Sequence, residues 1–138
     1  VGALDVSIGE YQRPWNLREA RDGNPASNLW AYDDKGFGQI GCVYSAQGFE
    51  FDYIGVIIGN DIVYDMDNQR WKANKENHLG NMISKTKLNA LTDDEYMSIV
   101  KNIYRVLMSR GMKGCFVYFM DKSTENFVKT RIKRTGLF

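Results

Sequence analysis

The side chains best suited to chemistry crowd into one stretch, CVYSAQGFEFDYIGVIIG, residues 42–59. An apolar segment gives way to a Gly-centred polar turn, where Glu50 and Asp52 flank Phe51, and a second apolar segment follows at once. Carboxylates in such a turn can accept hydrogen bonds from a ligand, or they can cap the turn itself. Both readings stand for Glu50, while Asp52 reads as a cap of the turn and its neighbours. Arg105 and Arg110 form a second concentration of fixed charge, near the end of a later amphipathic segment. On pattern alone they are solvated cations favoured by a helix C-terminus.

Other chemistries have little material. His78 is the only histidine, which leaves His-based metal sites and Ser-His or Cys-His nucleophiles without partners, and it reads as a surface residue of a polar loop. Cys42 and Cys115 are far apart, each inside an apolar run, so they read as buried, reduced thiols of a cytoplasmic protein. No metal site is expected. Net charge is +1, so no global field points to nucleic acid or membrane, and any such contact has to be a local patch. No apolar run approaches the roughly 18 residues that span a bilayer, and there is no signal-peptide pattern. The first residue is Val1, not Met, which reads as a mature product or a piece of something longer.

The elements that must position these residues follow from periodicity. The chain has 138 residues and is 43% hydrophobic, enough for one sizeable core. Residues 1–36 read as an irregular lead-in packed on the core, with a weak strand at 4–11 and breakers at Pro14, Gly23 and Pro25. Trp15 and Trp30 there anchor loops or stack on bases. GQIGCVYS, residues 38–45, reads as a strand, and residues 53–59 as a near-continuous buried strand. DIVYDMDNQRWKA reads as a hairpin turning at Asp67-Asn68. Residues 74–88 read as a polar loop. Thr92 and Glu95 form a capping box for a helix whose buried stripe is Tyr96, Ile99, Val100, Ile103 and Leu107. Gly111 is its expected left-handed stop. GCFVYFM, residues 114–120, reads as another buried strand, and residues 123–134 as a last amphipathic helix. The order implies α/β: a mainly parallel sheet, helices on both faces and a small hairpin insertion. Ligands gather at the carboxyl ends of such strands, and SAQGFEFD reads as leaving one.

Two segments carry a resemblance. VYSAQGFEFDYIGVI is similar to motif V of superfamily 1 helicases (here residues 42–52). NIYRVLMSRGMKGCFVYF is similar to their motif VI (residues 102–113), a helix running into a strand. Together they resemble bacterial helicase-like ATPases related to the helicase half of Schlafen proteins, over residues 37–121. No GxxxxGK[ST] loop and no following strand ending in Asp-Glu occur in the sequence. The resemblance therefore implies a single RecA-like domain of P-loop NTPase type at residues 37–138. It would be the second domain, with the Walker A and B elements in a first domain outside this chain.

What the resemblance implies for individual residues has physical sense. Arg110 would be the arginine finger that stabilises charge developing on the γ-phosphate. Gly48 would let backbone approach the nucleotide, Glu50 would accept from the ribose hydroxyls, and Gln47 would line the same cleft. Arg105 would be a second phosphate contact or an internal ion pair. Tyr44 and Ser45 would touch nucleic acid, although Tyr44 stands where many relatives carry His. Lys113 reads as a surface charge. The implied cofactor is ATP with Mg2+, in the full-length protein only. The implied partners are the first RecA-like domain of the same polypeptide and single-stranded DNA or RNA, with no membrane. The implied function is the C-terminal half of an ATP-dependent helicase-like enzyme, inactive in isolation. The alternative is a nucleotide switch or binding module of a defence or regulatory protein without unwinding activity.

Overall fold

Gly and Pro punctuate the first third of the sequence so densely that no long element can form there. The computed structural model describes residues 6–79 and 83–135. These fall into two units, Val1–Tyr53 with Ser109–Gly114, and Ile54–Met108 with Cys115–Phe138.

In the first unit, β1 (Val6–Ile8) pairs antiparallel with β2 (Tyr11–Arg13), so the weak strand expected at 4–11 is one arm of a hairpin. Its Leu4 and Asp5 lie outside the described residues. Single 3-10 turns follow at Ser27–Leu29 and Asp34–Gly38. Buried Gln39 ties these loops together: its Oε1 accepts from the Leu17 amide at 3.0 Å, and its Nε2 donates to the Pro25 carbonyl at 2.5 Å. The Trp30 indole donates to the Gln39 carbonyl at 3.1 Å, while Trp15 bridges to Ile40. Both tryptophans therefore hold loops together.

The strand expected at 38–45 is absent. Its second half is instead a one-turn helix, α1 (Val43–Ala46). Ser45 Oγ accepts from the Cys42 amide at 2.7 Å and donates to the Cys42 carbonyl at 3.1 Å, a local exchange that satisfies the end of a helix and competes with a strand ladder.

The main strand, β3 (Phe51–Ile58), runs on from the first unit into the second. Ile54, Val56 and Ile58 are buried, whereas Tyr53 is 59% exposed and Gly55 is exposed. This is period-2 alternation, not the continuous burial expected for residues 53–59. Strand β3 is followed by β4 (Ile62–Asp65) and β5 (Arg70–Ala73), an antiparallel hairpin in which Tyr64 faces Trp71 and Asp65 faces Arg70. The hairpin expected from the sequence is thus present, turning at Asp67-Asn68 as expected, with Gln69 in the turn and not in the ladder. The polar loop expected at 74–88 contains a 3-10 turn, Lys75–Asn77, and a short helix, α2 (Lys85–Ala90). Ser84 starts that helix by accepting from the Lys87 amide. Residues 80–82 of the loop lie outside the described residues.

Helix α3 (Asp93–Met108) begins with the expected capping box. The Glu95 carboxylate accepts from the Thr92 amide at 2.8 Å, and Thr92 Oγ1 accepts from the Glu95 amide at 3.3 Å. Tyr96 and Val100 are its fully buried residues and join Ile62 and Leu88 in the core of the second unit. After α3 the chain turns at Ser109-Arg110 and enters β6 (Gly111–Phe119) directly. Gly111 is not among the positive-φ glycines, so the expected left-handed stop is not used. Strand β6 pairs with β3 in a two-stranded sheet. Phe51 bonds to Arg110 at one end and Ile58 to Met120 at the other, so the strands are parallel. β6 is more open than expected, with Phe116 69% and Tyr118 49% exposed. Cys115 is exposed too, contrary to its expected burial. Helix α4 (Lys122–Arg134) closes the described fold, capped by Asp121, whose carboxylate accepts from the Thr124 amide at 2.6 Å. The chain is α/β, with a small parallel sheet and helices. Among the described residues no helix is long and apolar enough to cross a membrane.

Candidate functional site

Chain geometry after α1 is set by three backbone bonds. The Ala46 amide donates to Cys42, Gln47 to Val43, and Phe49 back to Ala46. Between the last two, Gly48 takes φ +87°, a conformation that a side chain resists. Beyond its two chain neighbours, no described atom lies within 4 Å of where its Cβ would stand. Glycine is needed here for the conformation of the turn, and the space beside it is open. Gln47, Gly48 and Glu50 are exposed, and Tyr44 is 66% exposed.

The turn then enters β3 at its amino end, where the Phe51 amide donates to the Arg110 carbonyl at 2.9 Å. The backbones of Phe51 and Arg110 therefore meet, with residues 47–50 leading into one strand of the parallel pair and Arg110 into the other. This corrects the expectation that the turn leaves the carboxyl end of a strand: the site is at the amino edge. Just inside it, Lys113 Nζ pairs with the Asp52 carboxylate at 2.7 Å. Asp52 thus bonds across to β6, and Lys113 is not merely a solvated charge.

The side chains around this edge are held in different ways. Phe51 packs edge-on against Trp30, with ring centroids 5.7 Å apart, and Phe49 packs edge-on against Tyr32 at 5.0 Å. Arg110 is half-buried, and its Nη2 donates to Ser109 Oγ at 2.9 Å. Ser45 is committed to the helix cap, while Tyr44 projects into solvent. Tyr44, Ser45, Gln47, Gly48, Glu50 and Arg110 all belong to the first unit. Arg105 belongs to the second, on α3, where its Nη1 donates to Asn102 Oδ1 at 3.3 Å.

A polar cluster in the second unit escaped the sequence reading. The Tyr104 hydroxyl donates to Asp61 Oδ1 at 2.7 Å and accepts from the Gly59 amide at 2.9 Å. Burial pushes the Asp61 carboxyl above its ordinary range, against the pull of Tyr104, the Ile62 amide and His78. Burial, reinforced by Asp61, also raises the Tyr104 phenol, and the Tyr96 phenol is pushed up to about 12 for the same reasons. His78 is half-buried, not a loop-surface residue; its Nδ1 lies 3.4 Å from the Tyr96 hydroxyl, and its Nε2 is buried without a hydrogen-bond partner among the described residues. A Tyr bonded to an Asp 43 residues away leaves no spacing signature, so only the fold discloses this pair. Among the described residues no three His, Cys, Asp or Glu side chains are grouped to hold a metal ion.

Comparison with known proteins gives a family. Residues 2–121 match the family described as Schlafen group 3, DNA/RNA helicase domain. A curated Saccharomyces cerevisiae protein, the uncharacterized YPL245W, is 33% identical over 120 residues, covering 84% of this chain and 25% of that protein. The chain thus spans about a quarter of the length of the curated relative it matches. No solved structure matches it.

Proposed function

Taking as premise that the chain belongs to the Schlafen group 3 DNA/RNA helicase domain family, we propose that it is the second RecA-like half of an ATP-dependent helicase-like protein. Its task in this reading is to supply the motif V turn and an arginine finger to a nucleotide held mainly by another half of the same polypeptide. The observation that carries the proposal is the 2.9 Å bond between the Phe51 amide and the Arg110 carbonyl. It joins the strand that follows the Gln47-Gly48 turn and Glu50 to the backbone of Arg110, which supports reading them as parts of one site.

The residues fit one wall of a nucleotide site. Glu50 is an exposed acceptor suited to ribose hydroxyls, and the open space beside Gly48 admits a close approach of ligand to backbone. Arg110 offers a permanent positive charge whose planar fork matches phosphate oxygens. Such a group contributes most where negative charge develops on a transferring phosphoryl group. In this reading Mg2+ is held with the phosphates by the other half, where the family's metal ligands belong. ATP would supply the phosphoryl transfer that drives closure and opening on a strand of DNA or RNA. Tyr44 is exposed and is the better of the two nucleic-acid candidates, since the Ser45 hydroxyl is occupied. Arg105 is assigned a supporting role on its helix.

The open flank of the β3–β6 pair also supports a larger domain, since parallel strands are ordinarily covered on both faces. Steady-state ATPase assays test the reading. The 138-residue chain alone should show no magnesium-dependent turnover, and the polypeptide that carries both halves should show it. Robust turnover by the isolated chain would reject the half-site assignment.

A further inference from the structure

Two strands that form a parallel pair can slip along each other. A slip of one residue turns every side chain to the wrong face, so the buried Ile54, Val56 and Ile58 exclude it. A slip of two residues keeps every face and is invisible to hydrophobic burial. It would nonetheless carry Arg110 about 6.6 Å along the sheet relative to Glu50, at roughly 3.3 Å per residue. Something other than the apolar pattern has to forbid it.

Two contacts at the amino edge do so, one on each face. The strand β3 contains a single charged residue, Asp52, and β6 a single charged residue, Lys113, and these two pair at 2.7 Å. A two-residue slip one way sets Asp52 against Gly111 and Lys113 against Ile54; the other way sets Asp52 against Cys115 and brings Lys113 to Glu50, so in that direction the contact on the opposite face is the one that forbids it. On the opposite face, the Tyr53 ring lies over Gly114: a Cβ at Gly114 would stand 3.1 Å from Tyr53 Cδ1 and 3.2 Å from Cε1. The same slip would bring Met112 or Phe116 under that ring, where even a methyl is crowded.

We propose that Asp52–Lys113 and Tyr53 over Gly114 form a register lock, which makes Asp52, Lys113 and Gly114 positioning residues for Glu50 and Arg110. The consequence for activity rests on the nucleotide reading above; the lock itself does not. Both members of the ion pair are more than half exposed, with side-chain exposures of 60% and 57%, and such pairs add little to stability.

The test uses the polypeptide that carries both halves. Asp52→Asn, Lys113→Met and the exchanged pair Asp52→Lys/Lys113→Asp are compared for ATP turnover, and for hydrogen exchange of the peptide containing the Phe51 amide. Each single change should speed that exchange. Each should also lower kcat by up to about fivefold, the most that losing an exposed pair can shift between registers, with KM changed far less. The exchanged pair should restore both. Unchanged exchange in the single variants, or no recovery in the exchanged pair, overturns the lock. Arg110→Lys, run beside them, separates the two ideas. If Arg110→Lys abolishes turnover while the single variants behave as the parent, the lock fails and the nucleotide reading stands. If Arg110→Lys is fully active while exchange responds as described, the reading fails and the lock stands.

Discussion

The Phe51 amide and the Arg110 carbonyl meet at 2.9 Å, joining the start of β3 to the start of β6. Everything proposed for the turn depends on its being held in this relation to Arg110. Gly48, two residues before Glu50, is the conformational weak point, at φ +87°. Replacing it with Ala meets no neighbour but forces a side chain into a left-handed conformation, at roughly 1–2 kcal/mol. Gly48→Ala should lower the thermal midpoint by a few degrees and weaken nucleotide binding by the two-half protein. A variant with parental midpoint and affinity would show that the turn does not depend on this backbone.

The hydroxyl of Tyr104 has two partners, the Gly59 amide and Asp61 Oδ1. Tyr104→Phe keeps the ring and removes both bonds, leaving the half-buried Gly59 amide without this acceptor and Asp61 with the Ile62 amide in place of two donors. Unsatisfied buried groups of this kind cost about 1–3 kcal/mol each. Denaturant unfolding should show a loss in that range with an unchanged slope. A loss below about 0.5 kcal/mol would mean that solvent takes over both groups.

Asp61 makes a prediction of opposite sign. Burial raises its carboxyl pKa in the folded chain above the ordinary 3.8. The folded state therefore holds the proton more tightly than the unfolded chain does. The stability this brings is fully present below pH 3.8 and is lost as pH rises through the folded pKa. At neutral pH the charged form is a burden. Asp61→Asn keeps an oxygen to accept from Tyr104 and Ile62 and removes the charge. Its thermal midpoint should equal or exceed the parent's at pH 7, with the advantage disappearing as pH falls toward 3.8. A variant less stable than the parent at pH 7 and equal to it in acid would show that the charged hydrogen bonds outweigh burial.

The legible parts of this fold were those in which local chemistry and burial agree. The hairpin β4–β5 announced itself by turn residues between apolar runs, and α3 by a capping box that forms as written. Helix α1 was misread because Cys42, Val43 and Tyr44 suit a strand; the contrary signal was Ser45, able to close a cap on Cys42. Strand β6 begins at Gly111, three residues before the expected 114, and is exposed where burial is expected, since apolar composition reports what could be covered and not what covers it. In the candidate site, the proximity of the turn to Arg110 was implied only by resemblance, whereas the Asp52–Lys113 pair needed the register of two strands distant in sequence. Long-range pairing of this kind has no periodic signature.

Arg110 and Arg105 lie on opposite sides of the unit division, and substitution separates their roles. Arg110 ends the turn after α3, with its carbonyl fixed by Phe51 and its guanidinium touching Ser109. Lys keeps the charge but loses the planar fork. In the two-half protein Arg110→Lys should cut ATP turnover by roughly 10³-fold or more, the range lost when such arginines are removed. Nucleotide affinity should change far less, because the interaction strengthens in the transition state. Folding should survive, since the core of α3 is built on Tyr96 and Val100. Arg105, exposed and bonded to Asn102, is the internal control, and Arg105→Lys should cost little turnover and little stability. Steady-state ATPase with single-stranded nucleic acid present, and a thermal melt of each variant, decide the matter. Loss with Arg105→Lys and retention with Arg110→Lys would move the finger to Arg105. Retention in both would mean that the chain keeps the family's fold without its mechanism.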